Sequence, residues 1–248
     1  MPPFHYFYRY HLGIMHLLHQ PTLTPADAAG LLTDDDAHHA TRTLRLSVGE
    51  AISVTDGRGN RYACVITKVD KHCAFRVVDI ASTPPRPFSV RICVAPTKNI
   101  DRIEWFVEKA VELGIERISF FVGQHSERRV LKLERIEKIA VSAMKQSLQS
   151  WMPKLDEAVP FAQMLLSVGE EQRFIAHLPE KGPTEPLIRT ATPAGQYAVL
   201  IGPEGDFSAT ELQQARQAGF QMVTLGPNRL RTETAALSAC QALNFLNY

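Results

Sequence analysis

Hydrophobic and polar positions follow two different patterns along the chain, one on each side of a proline-rich stretch at 82–87. Before that stretch, short apolar runs alternate with turn residues, which is typical of antiparallel strands. The predicted strands occupy 51–55, 61–69 and 75–80, with a hairpin loop at 56–60 between the first two. Several short strands at such close spacing predict a small β-barrel.

After residue 87, strands alternate with helices, which predicts an α/β unit with a largely parallel sheet. Apolar stripes at helical spacing, with glycines at their ends, mark the helices. The predicted strands are 88–95, 117–122, 173–178, 197–201 and 220–225, and the predicted helices are 100–113, 131–150, one from Ser208 to Gly219, and one that runs nearly to Tyr248. Because prolines stiffen a linker, the stretch between the two patterns predicts a domain boundary at residues 82/83.

Two of the predicted strands end in a loop that contains glycine and proline. The strand 197–201 is followed by Gly202-Pro203-Glu204-Gly205, and the strand 220–225 by the loop from Gly226 to Leu230. Glycine lets a backbone turn tightly and approach a ligand, and α/β sheets bind ligands at the carboxyl ends of their strands. The two loops therefore predict a ligand site, with a pair of ordinary β-to-α turns as the alternative. Neither loop matches a dinucleotide-binding or Walker motif.

A short helix predicted at 37–46 places Arg42 and Arg45 on one face. Together with Arg58 and Arg61 of the hairpin, they would form a basic patch if the helix and the hairpin lie together. A solvated surface that carries unrelated arginines is the alternative.

Composition narrows the classes of function. The net charge of +1 gives no sign of nucleic-acid binding by the whole molecule, so RNA binding would need local patches. No apolar run has membrane-spanning length and the N-terminus lacks a signal-peptide pattern, which favours a cytoplasmic protein without a membrane partner. The four cysteines and the pair His38-His39 lack the spacing of a metal site, so we expect no metal.

The paired motifs of the last third resemble the SPOUT methyltransferases and, more narrowly, the RsmE family. These motifs are Gly202-Pro203-Glu204-Gly205, Leu225-Gly226 and the stretch Leu230-Arg231-Thr232-Glu233-Thr234-Ala235, and weaker matches lie at His38-His39, Lys109-Ala110 and Gln146-Ser147. The resemblance implies a C-terminal SPOUT α/β trefoil-knot domain at 83–248, preceded by a small PUA-like RNA-binding β-barrel at 15–82. Residues 1–14 would then be an N-terminal extension.

The same resemblance implies an enzyme that uses S-adenosylmethionine to methylate N3 of a uracil in 16S ribosomal RNA, within the small ribosomal subunit, as a homodimer. The residues implied in cofactor binding are His177, Leu178, Leu200, Gly202, Pro203, Gly205, Leu225, Gly226, Leu230, Thr234 and Ala235. The residues expected to contact RNA are Arg42, Arg45, Arg58, Arg61, Arg128, Arg129 and Lys132.

Three residues are candidates for the chemistry that removal of the N3 proton requires. The guanidinium of Arg231 is expected to stabilise negative charge on the uracil oxygens, since it offers a rigid set of donors. Glu204 and Glu233 are candidate bases or ligand-holding carboxylates, and water is a further candidate base.

The sequence departs from the family pattern at Asp206, where glycine is frequent, and at Gln149, where a basic residue is frequent. Two other classes of function remain open at this point. One is an α/β enzyme that binds a nucleotide or phosphate at the same loops, although neither loop contains a lysine. The other is an RNA-binding protein without catalytic activity.

Overall fold

The structure, a computed structural model, describes residues 16–70, 72–177 and 184–248. The predicted extension at 1–14 and the predicted cofactor contact Leu178 lie outside these residues. The described chain forms two compact units. The first unit runs to Pro85 and also contains Met144–Met152, whereas the second unit comprises Arg86–Ala143 and Pro153–Tyr248.

A five-stranded sheet forms the first unit. Its strands are β1 (Leu17–His19), β2 (Ala29–Leu31), β3 (Ala51–Thr55), β4 (Asn60–Val69) and β5 (Cys73–Ser82), in the order β1-β3-β4-β5-β2. Strands β3, β4 and β5 pair antiparallel, as the sequence predicts, and the hairpin loop between β3 and β4 is confirmed. Tyr62 and Phe75 are fully buried in the core of this unit.

The helix predicted at 37–46 begins and ends earlier than expected. Helix α1 occupies Asp34–His38, and one turn of π-helix continues it over His39–Thr43. It begins at Asp34 because Thr33 caps it by accepting a hydrogen bond from the Asp36 backbone. Arg45 lies beyond the helix in the left-handed region, with φ +55°. The prediction that Arg42 and Arg45 share a helix face is therefore wrong.

The segment Met144–Met152 returns to the hairpin loop of the first unit. Gly59 N donates to Ser150 O at 2.8 Å, Met152 N donates to Gly57 O at 2.8 Å, and the Trp151 ring covers Gly59. A Cβ on Gly59 would lie 2.5 Å from that ring, so glycine is required there. The long helix predicted at 131–150 is therefore too long, since the chain leaves helical geometry at Leu148, where φ is +56°.

A parallel sheet of six strands forms the second unit, which confirms the predicted α/β class. Its strand order is β11-β9-β10-β6-β7-β8, and every pair is parallel. The strands are β6 (Ser89–Val94), β7 (Arg117–Val122), β8 (Lys154–Pro160), β9 (Gln172–Ala176), β10 (Gln196–Ile201) and β11 (Gln221–Val223). The helices are α2 (Ile100–Glu112), α3 (Leu133–Gln146), α4 (Phe161–Ser167), α5 (Leu187–Thr190), α6 (Ala209–Gln217) and α7 (Thr232–Leu246).

The described residues were searched for membrane-spanning helices and for groups of metal-binding side chains. None of the helices described is long and apolar enough to cross a membrane. Within the same part of the chain, no group of three or more His, Cys, Asp or Glu side chains could hold a metal ion.

All four cysteines are buried free thiols, and we expect them to be unreactive in the native protein. Burial raises the pKa of Cys64, Cys93 and Cys240 to about 12 and raises the pKa of Cys73 as well. Because the thiolate is the reactive form, a disulfide reagent at pH 8 should modify none of them within minutes. The same reagent should titrate four thiols in concentrated guanidinium chloride. Rapid modification of any thiol in the native protein would contradict this expectation.

Candidate active site

A cavity of about 310 Å³ lies at the carboxyl ends of three neighbouring strands of the second unit, β9, β10 and β11. Parallel strands bring these ends to one edge of the sheet, which is where α/β folds bind ligands. The loop after β10 and the loop after β11 both line the cavity. Its lining residues are Ala176, His177, Ile201, Gly202, Pro203, Glu204, Asp206, Thr224, Leu225, Gly226, Asn228, Arg229, Leu230, Arg231, Thr232 and Ala235.

The aromatic ring of Phe207 supports the loop after β10. The ring stacks on Phe121 with 6.1 Å between ring centroids, and it packs against Phe161 at 5.8 Å. A Cβ on Gly202 would lie 3.0 Å from the Phe207 ring, and a Cβ on Gly205 would lie 2.9 Å from the His125 side chain. Close packing therefore leaves no room for a Cβ on Gly205, and a Cβ on Gly202 would require the Phe207 ring to move.

A capping box starts the helix that follows this loop, as the sequence predicts. The Ser208 side chain accepts from the Glu211 backbone, and the Glu211 carboxylate accepts from the Ser208 backbone. Glu211 is buried, and its other carboxylate oxygen accepts from the Gln124 backbone at 2.9 Å. The same side chain therefore fixes the loop after β10 and the loop after β7.

Two hydrogen bonds connect the loop after β11 and the helix start that follows it to the loop after β10, and a third stabilises the loop internally. Thr232 Oγ1 donates to the Gly202 carbonyl at 3.0 Å, and the Arg229 guanidinium donates to the Glu204 carbonyl at 3.3 Å. Within the loop, Thr224 Oγ1 donates to the Gly226 carbonyl at 2.7 Å, where the glycine has φ +136°. The two loops are thereby joined into one cradle.

Two carboxylates of the cradle differ in what they bind. Glu204 Oε1 accepts from the Lys98 backbone at 2.9 Å, while Glu204 Oε2 is buried and has no hydrogen-bond partner among the described residues. Asp206 lies in the left-handed region with φ +61°, and its Oδ2 is 2.9 Å from Nδ1 of His177. One carboxylate oxygen of Glu204 therefore has no partner among the described residues, whereas the Asp206 carboxylate is engaged by His177.

Most of the residues predicted to bind a cofactor lie around this cavity, and three of the described ones do not. Leu200 is fully buried in β10, Gly205 faces His125, and Thr234 lines a second cavity. The sequence analysis did not assign seven of the lining residues, which are Ala176, Ile201, Asp206, Thr224, Asn228, Arg229 and Thr232. Because these residues lie at strand ends or in and next to the two loops, their positions in the sequence could have predicted that they line the cavity.

The three predicted catalytic residues divide between the two cavities. Arg231 is exposed, and its guanidinium makes no hydrogen bond to a described residue. Glu204 lines the first cavity only. Glu233, 7% exposed, lines the second cavity at the start of α7, and Arg231 lines both.

The residues predicted to contact RNA fall into two groups. Arg58 donates to the carbonyls of Pro21 and Leu23, and the guanidinium of Arg61 donates to the Leu148 carbonyl. The guanidinium of Arg128 likewise donates to the carbonyls of Thr97 and Lys98. The exposed side chains that remain are those of Arg42, Arg45, Arg129 and Lys132.

Comparison with known families gives two matches that together cover most of the chain. A family model described as an RNA methyltransferase domain matches residues 84–244. A second model, described as an RNA methyltransferase PUA domain, matches residues 32–76. These matches correspond to an N-terminal PUA-like domain and a C-terminal SPOUT methyltransferase fold.

Relatives of known name cover nearly the full length of the chain. It is 29% identical over 240 residues to the ribosomal RNA small subunit methyltransferase E of Mycobacterium tuberculosis, with 93% of this chain and 91% of the relative aligned. The enzyme of the same name from Bacillus subtilis is 25% identical over 230 residues, with 86% and 89% aligned.

Two solved structures share the fold over 94% of the chain. A probable rRNA-methyltransferase from Porphyromonas gingivalis has a TM-score of 0.86 and 39% identity, and covers 94% of this chain and 98% of its own. A ribosomal RNA small subunit methyltransferase E from Neisseria gonorrhoeae, bound to S-adenosyl methionine, has a TM-score of 0.84 and 28% identity with the same coverage.

Proposed function

The chain belongs to the RNA methyltransferase family and, within it, to the RsmE proteins. We propose that it transfers the methyl group of S-adenosylmethionine to ribosomal RNA. The target that we propose is N3 of a uracil in the 16S RNA of the small ribosomal subunit, as the family resemblance implies. The single observation that carries the proposal is the cradle formed by the loops after β10 and β11, with the Glu204 carboxylate oxygen unpartnered inside it.

The residues of the cradle fit the proposed cofactor. The cavity lies within the usual size range of small-molecule sites, about 300–1,000 Å³. Backbone groups of Gly202, Leu225 and Gly226 can hydrogen-bond the edge of an adenine, and the apolar side chains of Ile201 and Leu230 can enclose its ring. The free oxygen of Glu204 can accept from an amino or hydroxyl group. When bound, S-adenosylmethionine supplies an activated methyl group on a sulfonium, which is a good leaving group.

The chain's own part in the reaction is to bind the base, orient it and remove one proton. Arg231 donates to the oxygens of the uracil, where negative charge develops as N3 loses its proton. Glu233 accepts that proton on its carboxylate, because its Oε2 is buried and unpartnered. Glu204 holds the cofactor rather than acting as the base, since it lines only the first cavity.

The remaining parts of the proposal concern the state of the protein and its contacts with RNA. We propose a cytoplasmic homodimer whose SPOUT domain carries the trefoil knot implied by the family. Domain boundaries at 15–82 and 83–248 follow from the same resemblance and the proline-rich linker, with the segment Met144–Met152 of the second range packed in the first unit. The four exposed cations Arg42, Arg45, Arg129 and Lys132 would make the phosphate contacts. Arg58, Arg61 and Arg128 would support the RNA-binding surface through their backbone contacts.

Calorimetry with S-adenosylmethionine tests the proposed function directly. The unmodified protein should bind the cofactor with measurable heat, and Glu204→Gln should weaken binding about tenfold, because a hydrogen bond to a charged group contributes about 1.5–3 kcal/mol. Glu127→Gln, at an exposed carboxylate outside the cavity, is the matched control and should bind as the unmodified protein does. Absence of heat with S-adenosylmethionine, combined with tight binding of ATP, would refute the proposal.

A further inference from the structure

Arg128, in the loop after β7, is half-buried, and its guanidinium binds the backbone of a second loop of the same unit. Nε donates to the Thr97 carbonyl at 3.1 Å, and Nη2 donates to the Lys98 carbonyl at 2.8 Å. Both acceptors belong to the loop after β6, residues 95–99. We propose that Arg128 is a positioning residue for cofactor binding, which holds the Glu204 carboxylate in the cradle by fixing the backbone at Lys98. The inference rests on the proposed function and deepens its account of the cofactor site.

The backbone of Lys98 is the link between Arg128 and Glu204. Its carbonyl accepts from the Arg128 guanidinium, and its amide donates to Glu204 Oε1 at 2.9 Å. Within one residue, the positions of the amide nitrogen and the carbonyl oxygen are related by a single soft dihedral angle, ψ. The place where Arg128 holds the carbonyl therefore determines where the amide meets the carboxylate.

The Glu204 carboxylate depends on this amide for its orientation. Among the described residues, the Lys98 amide is the one hydrogen-bond donor to it, since Glu204 Oε2 is buried without a partner. A glutamate side chain has several rotatable bonds, and fixing them before a ligand arrives reduces the entropy that binding must otherwise remove. An oriented Glu204 therefore binds the cofactor more tightly than a mobile one.

The loop after β6 has few other contacts that could fix it in place of Arg128. The Thr97 hydroxyl donates to the Asn99 carbonyl at 2.6 Å, which is a contact within the loop. Lys98 Nζ is 2.8 Å from Glu127, but both side chains are more than half exposed, and exposed ion pairs stabilise little. Thr97 is fully buried, so removal of the Arg128 donor would leave a buried carbonyl to find another partner. We therefore expect the loop to shift when Arg128 is replaced.

Calorimetry with S-adenosylmethionine in the absence of RNA separates this role from the RNA contact that the sequence predicts for Arg128. Arg128→Ala should weaken binding about fivefold, which lies within the usual range of coupling inside one hydrogen-bond network. Arg128→Lys can donate to one of the two carbonyls and should recover part of the loss. Unchanged affinity in Arg128→Ala would overturn the inference.

Arg173 offers a matched control in the same unit. It is half-buried at the start of β9, and its guanidinium also donates to two backbone carbonyls, those of Glu170 at 2.8 Å and Ala218 at 3.2 Å. It lines neither cavity, so Arg173→Ala should bind S-adenosylmethionine within about twofold of the unmodified protein. An equal loss in Arg173→Ala and Arg128→Ala would contradict a specific role for Arg128.

Steady-state methylation of ribosomal RNA gives a second readout. Arg128→Ala should raise KM for S-adenosylmethionine by about the same fivefold, with kcat within about twofold when both substrates are saturating, since it removes ground-state binding alone. A lower kcat with an unchanged KM for the cofactor would place Arg128 in the chemical step and overturn the inference.

A double-mutant cycle tests whether Arg128 acts through Glu204. Glu204→Ala should itself weaken cofactor binding, and in that background Arg128→Ala should weaken it by less than about twofold further, because no carboxylate is left to position. A fivefold loss in both backgrounds would show an independent effect or a general loss of structure, and would overturn the inference. In that case the cofactor site at Glu204 stands, whereas an unmodified protein that binds no S-adenosylmethionine would refute the proposed function itself.

Discussion

Replacement of Arg231 by alanine is expected to lower kcat/KM for methylation of ribosomal RNA by about 10²–10³-fold. The reason is the loss of donors to the negative charge that develops on the uracil, an effect of about 2.7–4 kcal/mol. The melting temperature should stay within about 2 °C, because the side chain is exposed and makes no hydrogen bond to a described residue. Transfer of a radiolabelled methyl group to RNA, together with a thermal melt, measures both quantities.

Two variants serve as controls for Arg231→Ala. Arg231→Lys keeps the charge but loses the planar set of donors, so its activity should recover only in part. Arg216→Ala removes an exposed arginine of α6 whose guanidinium contacts Met222, and it should leave the rate unchanged. A rate for Arg231→Ala within threefold of the unmodified protein would show that this arginine has no part in the chemical step.

Replacement of Phe207 by alanine should lower the free energy of unfolding by about 3–5 kcal/mol, as is typical of a phenylalanine lost from a core. The ring is 6% exposed and packs against Phe121 and Phe161. It also lies 3.0 Å from the position of a Cβ on Gly202, so its loss removes the support of the loop after β10. Affinity for S-adenosylmethionine should therefore decrease together with stability, as urea unfolding and calorimetry would show.

A matched pair of variants separates packing from the mere loss of an aromatic ring. Phe207→Leu keeps most of the buried volume and should cost clearly less than Phe207→Ala. Phe245→Ala removes a ring that is 65% exposed and should change the free energy of unfolding by less than about 0.5 kcal/mol. A change below 1 kcal/mol for Phe207→Ala would show that the ring does not support the loop.

Elements with a strong local signal were predicted correctly from the sequence. The strand 117–122 and the strand 51–55 have the bounds that their apolar runs indicate, and the helix after Ser208 begins with the capping box expected from Ser208 and Glu211. These signals suffice because hydrophobic periodicity and capping act within a few residues. The alternation of strands and helices likewise indicated the parallel sheet.

Elements determined by distant contacts could not be predicted in this way. Strand β8 (Lys154–Pro160) has charged residues among its apolar ones and lies at the edge of its sheet, so its sequence gives little periodic signal. The return of Met144–Met152 to the first unit depends on hydrogen bonds to the hairpin loop, across about 90 residues of chain. Neither feature is visible in a local window of sequence.

The candidate site likewise contains residues that a local sequence signal predicts and contacts that depend on distant parts of the chain. The glycine-bearing loops and Arg231 were found because their residue types and their place after strands are visible in the sequence. The contact between His177 and Asp206 was not found, because the two residues are 29 positions apart and lie on different strand ends. Sequence reasoning predicted RNA contacts for Arg58 and Arg128, but it did not predict that their guanidinium groups donate to backbone carbonyls. Backbone acceptors carry no residue-type signal, so the sequence could not reveal these contacts.

Mass spectrometry of ribosomal RNA tests the central claim most directly. The protein is incubated with S-adenosylmethionine that carries a deuterated methyl group and with small ribosomal subunits from cells lacking the protein. The RNA is then digested to nucleosides. The account predicts one labelled nucleoside, 3-methyluridine, with Arg231→Ala giving at most about 1% of that label at early times. Label in any other nucleoside, or no label from a folded protein that binds the cofactor, would contradict it.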